Sequence, residues 1–240
     1  MEKDYVISWF LKENYVNDLL REAIAFKGGT ALRKVYFPET WRLSYDLDFT
    51  VLGDLSPEEI ADGFKQVFGA AKRNSGIVFS LKSFHATGGS VIASLQFKGP
   101  LVQENRIRTD ITCGEKLIFD PEWRVVKTVY PDLPEFRVKV YSLEEILIEK
   151  LRSIIQRGKS RDYYDVWRLL KENKFDMHPI RELLITKCKI NDVQYKPQLI
   201  FDDTQLTEAK RYWQKALGEL ARNLPDFEEA ISELKKKLIL

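Results

Sequence analysis

The stretch from Phe26 to Val51, FKGGTALRKVYFPETWRLSYDLDFTV, limits what this chain can become more than any other. Gly28, Gly29 and Thr30 stand where an apolar run gives way to a helix-like one, a place where bare backbone N–H groups can approach a phosphate. In Tyr45-Asp46-Leu47-Asp48-Phe49, alternation puts both aspartates on one face of a predicted strand and Leu47 and Phe49 on the other. Adjacent carboxylates repel each other unless a cation sits between them. Hard oxygen ligands of this kind suit Mg²⁺, which takes one or two protein carboxylates and fills its octahedron with water and substrate phosphate. A phosphate cradle joined to a metal-binding carboxylate pair predicts nucleotide chemistry.

The rest of the chain must supply the scaffold. Its 240 residues, 44% of them hydrophobic, can build a real core, as one large domain or as a catalytic domain with a second lobe. The net charge of +2 gives no strong global field, so any affinity for nucleic acid must come from local basic patches. Cys113 and Cys188 lie far apart with only His85 and His178 to join them, which argues against zinc and fits a reducing cytoplasm. No signal-peptide pattern follows Met1, and no apolar run is long enough to span a bilayer, so a soluble protein without membrane contact is expected.

Taken in order, the pattern predicts an amphipathic helix over 4–25, a short apolar link at 24–26, and a short helix over 30–37 ended by Pro38. The aspartate strand should run to about Leu52. Ser56-Pro57-Glu58-Glu59 reads as a capping box opening a helix to about Arg73. Strands are predicted over 77–84, 91–97 and 106–113, forming a mixed or antiparallel sheet. In the last of them Asp110 shares a polar face with Arg106 and Arg108 and could complete a metal site with Asp46 and Asp48. Residues 119–140, with Pro121, Pro131 and Pro134, read as an irregular crossing with short extended pieces that holds the lobe boundary. From Tyr141 onward helices are expected at 142–157 (a second capping box at Ser142 and Glu145), 161–172, 179–187, 207–223 and 226–240. Lys150 falls on the apolar stripe of the first of these, so its ammonium must snorkel or meet a carboxylate.

Together, KGGTALRK, RLSYDLDF and EEILIEKLRSIIQRGKSRDYYDVWRLL resemble the nucleotidyltransferase AbiEii/AbiGii toxin family, which includes the MenT toxins of bacterial toxin–antitoxin systems. The resemblance spans roughly Phe26 to Leu170. It implies an α+β fold: a DNA polymerase beta-like nucleotidyltransferase core with a mixed sheet and an N-terminal helix over 1–140, then a helical lobe over 141–240 that completes the active-site cleft. It further implies that Gly28, Gly29, Thr30 and Ser44 line a nucleoside triphosphate, that Asp46 and Asp48 bind Mg²⁺ or Mn²⁺, and that Lys150 contacts the triphosphate. Asp162, flanked by Arg161 and Asp165, would belong to the active site, opposite the aspartate pair across one cleft. Asp110 rests on strand geometry, because the third carboxylate varies in the family.

The reaction expected is attack of an acceptor hydroxyl on the α-phosphorus of an NTP with loss of pyrophosphate, with Lys150 and Arg33 or Arg42 supplying fixed positive charge. By resemblance the acceptor is the 3′ end of tRNA and a cognate antitoxin is a partner. The cluster Arg152, Arg157, Lys159 and Arg161 could hold the acceptor backbone, with Tyr163, Tyr164 and Trp167 near for stacking. Other acceptors, a small molecule or a protein hydroxyl, stay open, as does a non-catalytic nucleotide-binding module. Each feature also has a bland reading. A glycine pair is often only a turn, an Asp-x-Asp strand a solvated face, Asp162 a helix-start charge, and the aromatics a core. Gly158-Lys159-Ser160 ends like a phosphate loop, but Ser153 stands where the upstream glycine is needed, which excludes a Walker site.

Overall fold

The computed structural model describes residues 2–238. They fall into two compact units, one ending at Glu115 and resumed by Pro121–Tyr141, the other formed by Lys116–Asp120 and the chain from Ser142 onward.

The first unit is built on a seven-stranded mixed sheet. Helix α1 (Glu2–Val16) leads into β1 (Ile24–Lys27), helix α2 (Gly28–Ala31) continued by a π-helical turn (Leu32–Tyr36), β2 (Leu47–Val51) and α3 (Pro57–Ser75). There follow β3 (Val78–Thr87), β4 (Ser90–Lys98), β5 (Glu104–Thr112), β6 (Glu122–Val126) and β7 (Phe136–Val140). The strand order is β3-β4-β5-β2-β1-β7-β6. The β2–β5 and β1–β7 pairs are parallel and the others antiparallel.

Ile24, Ala25 and Phe26 are fully buried because β1 lies between two partners near the sheet's centre. A three-residue apolar run cannot reveal that, and the expected link is a strand. The long first helix also differs from expectation. It stops at Val16 because the Asn17 side chain accepts the N–H groups of Leu19 and Leu20, starting a turn that competes with the helix. It is buried on most sides, with Asp4, Ser8, Glu13 and Asn14 enclosed along with Val6, Phe10 and Leu11, so it is a core helix and not an amphipathic one.

The Ser56 capping box forms as read: Ser56 Oγ accepts the Glu59 N–H, and Glu59 accepts the Ser56 N–H at 2.8 Å. On the α3 side of the sheet, Phe10, Phe64, Phe79 and Phe97 pack edge-on or tilted with ring centroids 5.4 to 6.3 Å apart. The short extended pieces expected in the 119–140 crossing are β6 and β7, which pair as a hairpin with Pro131 and Pro134 in its connection.

The second unit is helical: α4 (Leu143–Arg157), α5 (Ser160–Glu172), α6 (Ile180–Ile190), a 3₁₀ turn (Pro197–Phe201), α7 (Asp203–Leu217) and α8 (Phe227–Lys237). Ser142 caps α4 by accepting the Glu145 N–H, but Glu145 does not reach back to close a box. Its carboxylate is fully buried and accepts the N–H groups of Ile118 and Phe119 and the ammonium of Lys187. Tyr163, Tyr164 and Trp167 are core residues. Tyr163 donates to the Ile200 carbonyl, and Tyr164 packs on Trp167 and Trp213, so none offers a surface for base stacking. Among the described residues, no helix is long and apolar enough to cross a membrane.

Candidate active site

In the first unit the candidate site grows from the β1–α2 corner. Gly28 takes φ +77°, the left-handed region that a side chain resists, and a Cβ there would collide with the Asp48 carboxylate. A Cβ on Gly29 would come 2.7 Å from an Arg42 guanidinium nitrogen and 3.2 Å from Ser44 Oγ. Gly28 is therefore required by its backbone conformation and close approach, while Gly29 lets the Arg42 guanidinium pack directly on the corner; the groups they approach are residues expected at the site. No side chain caps the first turn of α2. The helix then widens into a π turn, in which the Phe37 N–H reaches back to the Leu32 carbonyl at 2.8 Å. Such turns occur often at functional sites.

Thr30 ties the two halves of the motif together. Its buried hydroxyl donates to the Asp46 carbonyl at 2.5 Å and lies 2.9 Å from Ser44 Oγ. Arg42 is buried and donates to the Leu43 carbonyl, holding the 41–46 loop against Gly29. Gly28, Gly29, Thr30, Arg42, Ser44, Asp46 and Asp48 are thus one connected neighbourhood. Arg33 adjoins them: its guanidinium donates to the Ser44 carbonyl at 3.4 Å, lies over the Tyr45 ring and pairs with Asp4 at 2.9 Å.

Asp48 stands opposite Lys27 on β1 and opposite Asp110 on β5, so register sets Asp48 and Asp110 side by side. Asp110 is gripped by Arg108 from the same face of β5, at 2.9 and 3.2 Å. The Arg108 guanidinium is held further above its ordinary range, first by those hydrogen bonds and the Asp110 charge, then by the charges of Asp46 and Asp48. One cation therefore feels all three carboxylates. Among the described residues, no three His, Cys, Asp or Glu side chains converge as a metal-binding group. The chemistry of the donor set nonetheless fits Mg²⁺, because two carboxylates are enough for an ion that keeps several waters and substrate oxygens.

Two cations near this site carry no signal in the sequence pattern. Lys27 continues the strand into the glycine pair and donates to Thr112 at 3.0 Å and Glu115 at 3.1 Å. Lys3, from the first turn of α1, is half-buried over the Tyr45 ring; burial lowers its pKa, and the Asp46 charge partly offsets that. Only the fold brings these distant segments to the aspartates.

In the second unit, Lys150 meets Asp162 at 3.1 Å and Asp165 at 2.8 Å, both carboxylates being buried. Arg157 adds a second cation to Asp162 at 3.0 Å. Asp162 and Asp165, at i and i+3 on α5, face inward where a solvated helix-start charge would face out. Of the remaining basic cluster, Arg152 is held by Glu149 and Gln156, Lys159 by Glu208 at 3.4 Å, and exposed Arg161 donates to the Ala216 carbonyl.

Asp48 lies in β2 but Asp46 lies in the loop just before it, not in the strand as alternation predicted, and an α+β core with a glycine corner packed against Asp48 defines a nucleotidyltransferase-type protein; comparison with known proteins bears on which. Residues 9–233 match the family model described as nucleotidyl transferase AbiEii toxin, Type IV TA system, and the chain belongs to that family. It is similar to MenT4, a nucleotidyltransferase toxin from Mycobacterium tuberculosis, with TM-score 0.70 and 20% identity over 99% of this chain and 82% of that one. It is also similar to JHP933 from Helicobacter pylori, with TM-score 0.59 and 20% identity over 96% and 86% of the two chains. A search of curated protein sequences finds no match.

Proposed function

We propose that this nucleotidyltransferase moves a nucleoside monophosphate from an NTP to the 3′ end of a tRNA, in the cytoplasm, as a toxin restrained by a cognate antitoxin. The observation that carries the reading is the direct packing of Asp48 against Gly28, in a corner where Thr30 fixes the loop bearing Asp46.

In this reading the acceptor oxygen forms a bond to the α-phosphorus, the bond from that phosphorus to the bridging oxygen breaks, and pyrophosphate leaves. Asp46 and Asp48 are the residues that would hold Mg²⁺, which when bound supplies positive charge against the phosphates. The backbone N–H groups of Gly28, Gly29 and Thr30 orient the triphosphate at the start of α2, where no side chain caps the first turn. Ser44 and Arg42, locked by Thr30 and Gly29, supply a hydroxyl and a fixed cation without reorganising. Asp110 is a further metal-ligand candidate once freed of Arg108. Lys150 and Asp162 are proposed as functional residues on the strength of the family resemblance, and Arg152, Arg157, Lys159 and Arg161 as contacts to the acceptor backbone.

Purified protein incubated with Mg²⁺, each labelled NTP and total RNA tests the proposal. Label is expected on tRNA, and Asp46→Ala and Asp48→Ala should abolish both labelling and growth inhibition. Label on a protein or small molecule would overturn the tRNA assignment. Absence of any labelled product, with toxicity unchanged in both variants, would overturn transfer itself.

A further inference from the structure

Lys3 sits where a lysine costs stability. It lies in the first turn of α1, where the helix dipole disfavours a cation, and it is half-buried. Among the described residues it makes no hydrogen bond or ion pair; its ammonium is 5.7 Å from the centre of the Tyr45 ring. The carboxylate beside it in sequence is already taken, since Asp4 pairs with Lys34 at 2.7 Å and with Arg33 at 2.9 Å. Arg33 shares the Tyr45 ring with Lys3, with its guanidinium carbon 5.4 Å from the ring centre. Tyr45 thus holds two cations beside Asp46, one neutralised by Asp4 and one not. The Asp46 charge acts on Lys3 without a direct pair.

We propose that Lys3 is a phosphate-binding residue of the nucleotide site, its ammonium held on the Tyr45 ring beside Asp46 to receive an oxygen of the triphosphate. The proposal rests on the nucleotidyl-transfer reading and adds to it a contact supplied by the N-terminal helix. The ligand chemistry follows from the surroundings. On that reading the neighbouring Gly28–Thr30 corner takes the phosphates, and an anion arriving there relieves both the dipole and the desolvation penalty of the lysine. A face-on aromatic ring restrains an ammonium without neutralising it, so its charge stays available to an incoming oxygen.

Titration calorimetry on the full chain with Mg²⁺ tests this, using an NTP, inorganic tripolyphosphate and a nucleoside as probes against the wild type, Lys3→Gln and Lys3→Arg. The expected result is about 10-fold weaker binding of NTP and tripolyphosphate by Lys3→Gln, little change for the nucleoside, and recovery of most of the affinity by Lys3→Arg. The melting temperature should be equal or slightly higher in Lys3→Gln, which removes a half-buried cation from the helix start, and close to wild type in Lys3→Arg, since the Asp4 pairs are untouched. Equal tripolyphosphate affinity in wild type and Lys3→Gln overturns the proposal. So does tighter Mg²⁺ binding with unchanged tripolyphosphate affinity, which would make Lys3 only a counter-charge to Asp46. A lowered melting temperature in both variants would make it structural, and no triphosphate binding by the wild type would remove its ligand. Binding by the wild type with the expected Lys3→Gln loss, but no label transferred to any acceptor, would sink the transfer reading while leaving the Lys3 contact standing.

Discussion

Asp48 and Asp110 are register partners across the parallel β2–β5 pair, yet Asp110 is bound by Arg108 while Asp48 abuts Gly28. Two carboxylates placed alike by the sheet are thus placed differently by their neighbours. Asp48→Asn should lower transfer by about 100-fold or more, the several kcal/mol expected for a lost metal ligand. Asp110→Asn should cost less than about 10-fold, since its charge is already answered by Arg108. Arg108→Gln removes a cation from beside three carboxylates and should tighten Mg²⁺ binding. Because Arg108 is 60% exposed, that change should alter stability by under about 1 kcal/mol. Mg²⁺ titrations of activity and chemical denaturation of the three variants check these values.

Gly28→Ala tests whether the cradle is required by geometry. A left-handed φ costs a side chain about 1–2 kcal/mol, and the new methyl would also displace the Asp48 carboxylate. Stability should fall by about 2 kcal/mol, and activity should fall with Asp48→Asn. Gly53→Ala is the control: it has a similar φ of +84° but open space around its Cβ. It should show the stability cost with activity retained.

The glycine corner before α2 and strand β2 were legible because each is local, but the strand begins at Leu47, so Asp46 lies in the loop before it and not beside Asp48 in the strand as alternation predicted. The Ser56 box and strands β3, β4 and β5 were legible for the same reason. What failed was set by distant partners. β1 is a strand because β2 and β7 flank it, and α1 is buried on most sides because it meets α3 and the sheet together. Glu145 looked like a capping residue until Lys187, forty-two positions on, claimed it. Lys3 has no pattern at all and becomes notable only when the fold sets it over Tyr45, whereas alternation put Arg108 on the Asp110 face without showing that the two pair.

Lys187 offers a measure of the helical unit's stability. Its side chain is fully buried and its ammonium is 2.8 Å from Glu145, 2.8 Å from Glu149 and 2.8 Å from the Lys116 carbonyl. Lys187→Met would leave the Glu145 carboxylate buried without its cation, a loss of about 3–5 kcal/mol. The double change Lys187→Met with Glu145→Leu should recover a good part of it, because both charges are then gone. Glu145 also accepts the Ile118 and Phe119 N–H groups, so recovery should be incomplete. Urea unfolding of the single and double variants gives the comparison.

Asp4 should dominate an acid-sensitive step in the first unit. Burial alone would raise its pKa, but Lys34, Arg33 and the Tyr130 hydroxyl together outweigh burial and hold it below its ordinary 3.8. Lys34 is lowered as well, with burial outweighing the Asp4 charge. A carboxyl group whose folded pKa lies below its unfolded one contributes stability that is complete above the unfolded value. That contribution is lost as pH falls through the folded value. The wild type should therefore hold its melting temperature from neutral pH to about pH 4 as far as this group is concerned, and lose stability below it. Asp4→Asn leaves two cations around an uncharged amide, one of them the buried Lys34, and should cost about 3 kcal/mol at pH 7. The gap between the two proteins should narrow as pH drops from about 4 toward 2, since protonation removes from the wild type what the substitution has already removed. Melting curves at pH 7, 4 and 3 decide it: a gap that stays constant over that range would show that Asp4 stabilises α1 through packing and hydrogen bonds, not through its charge.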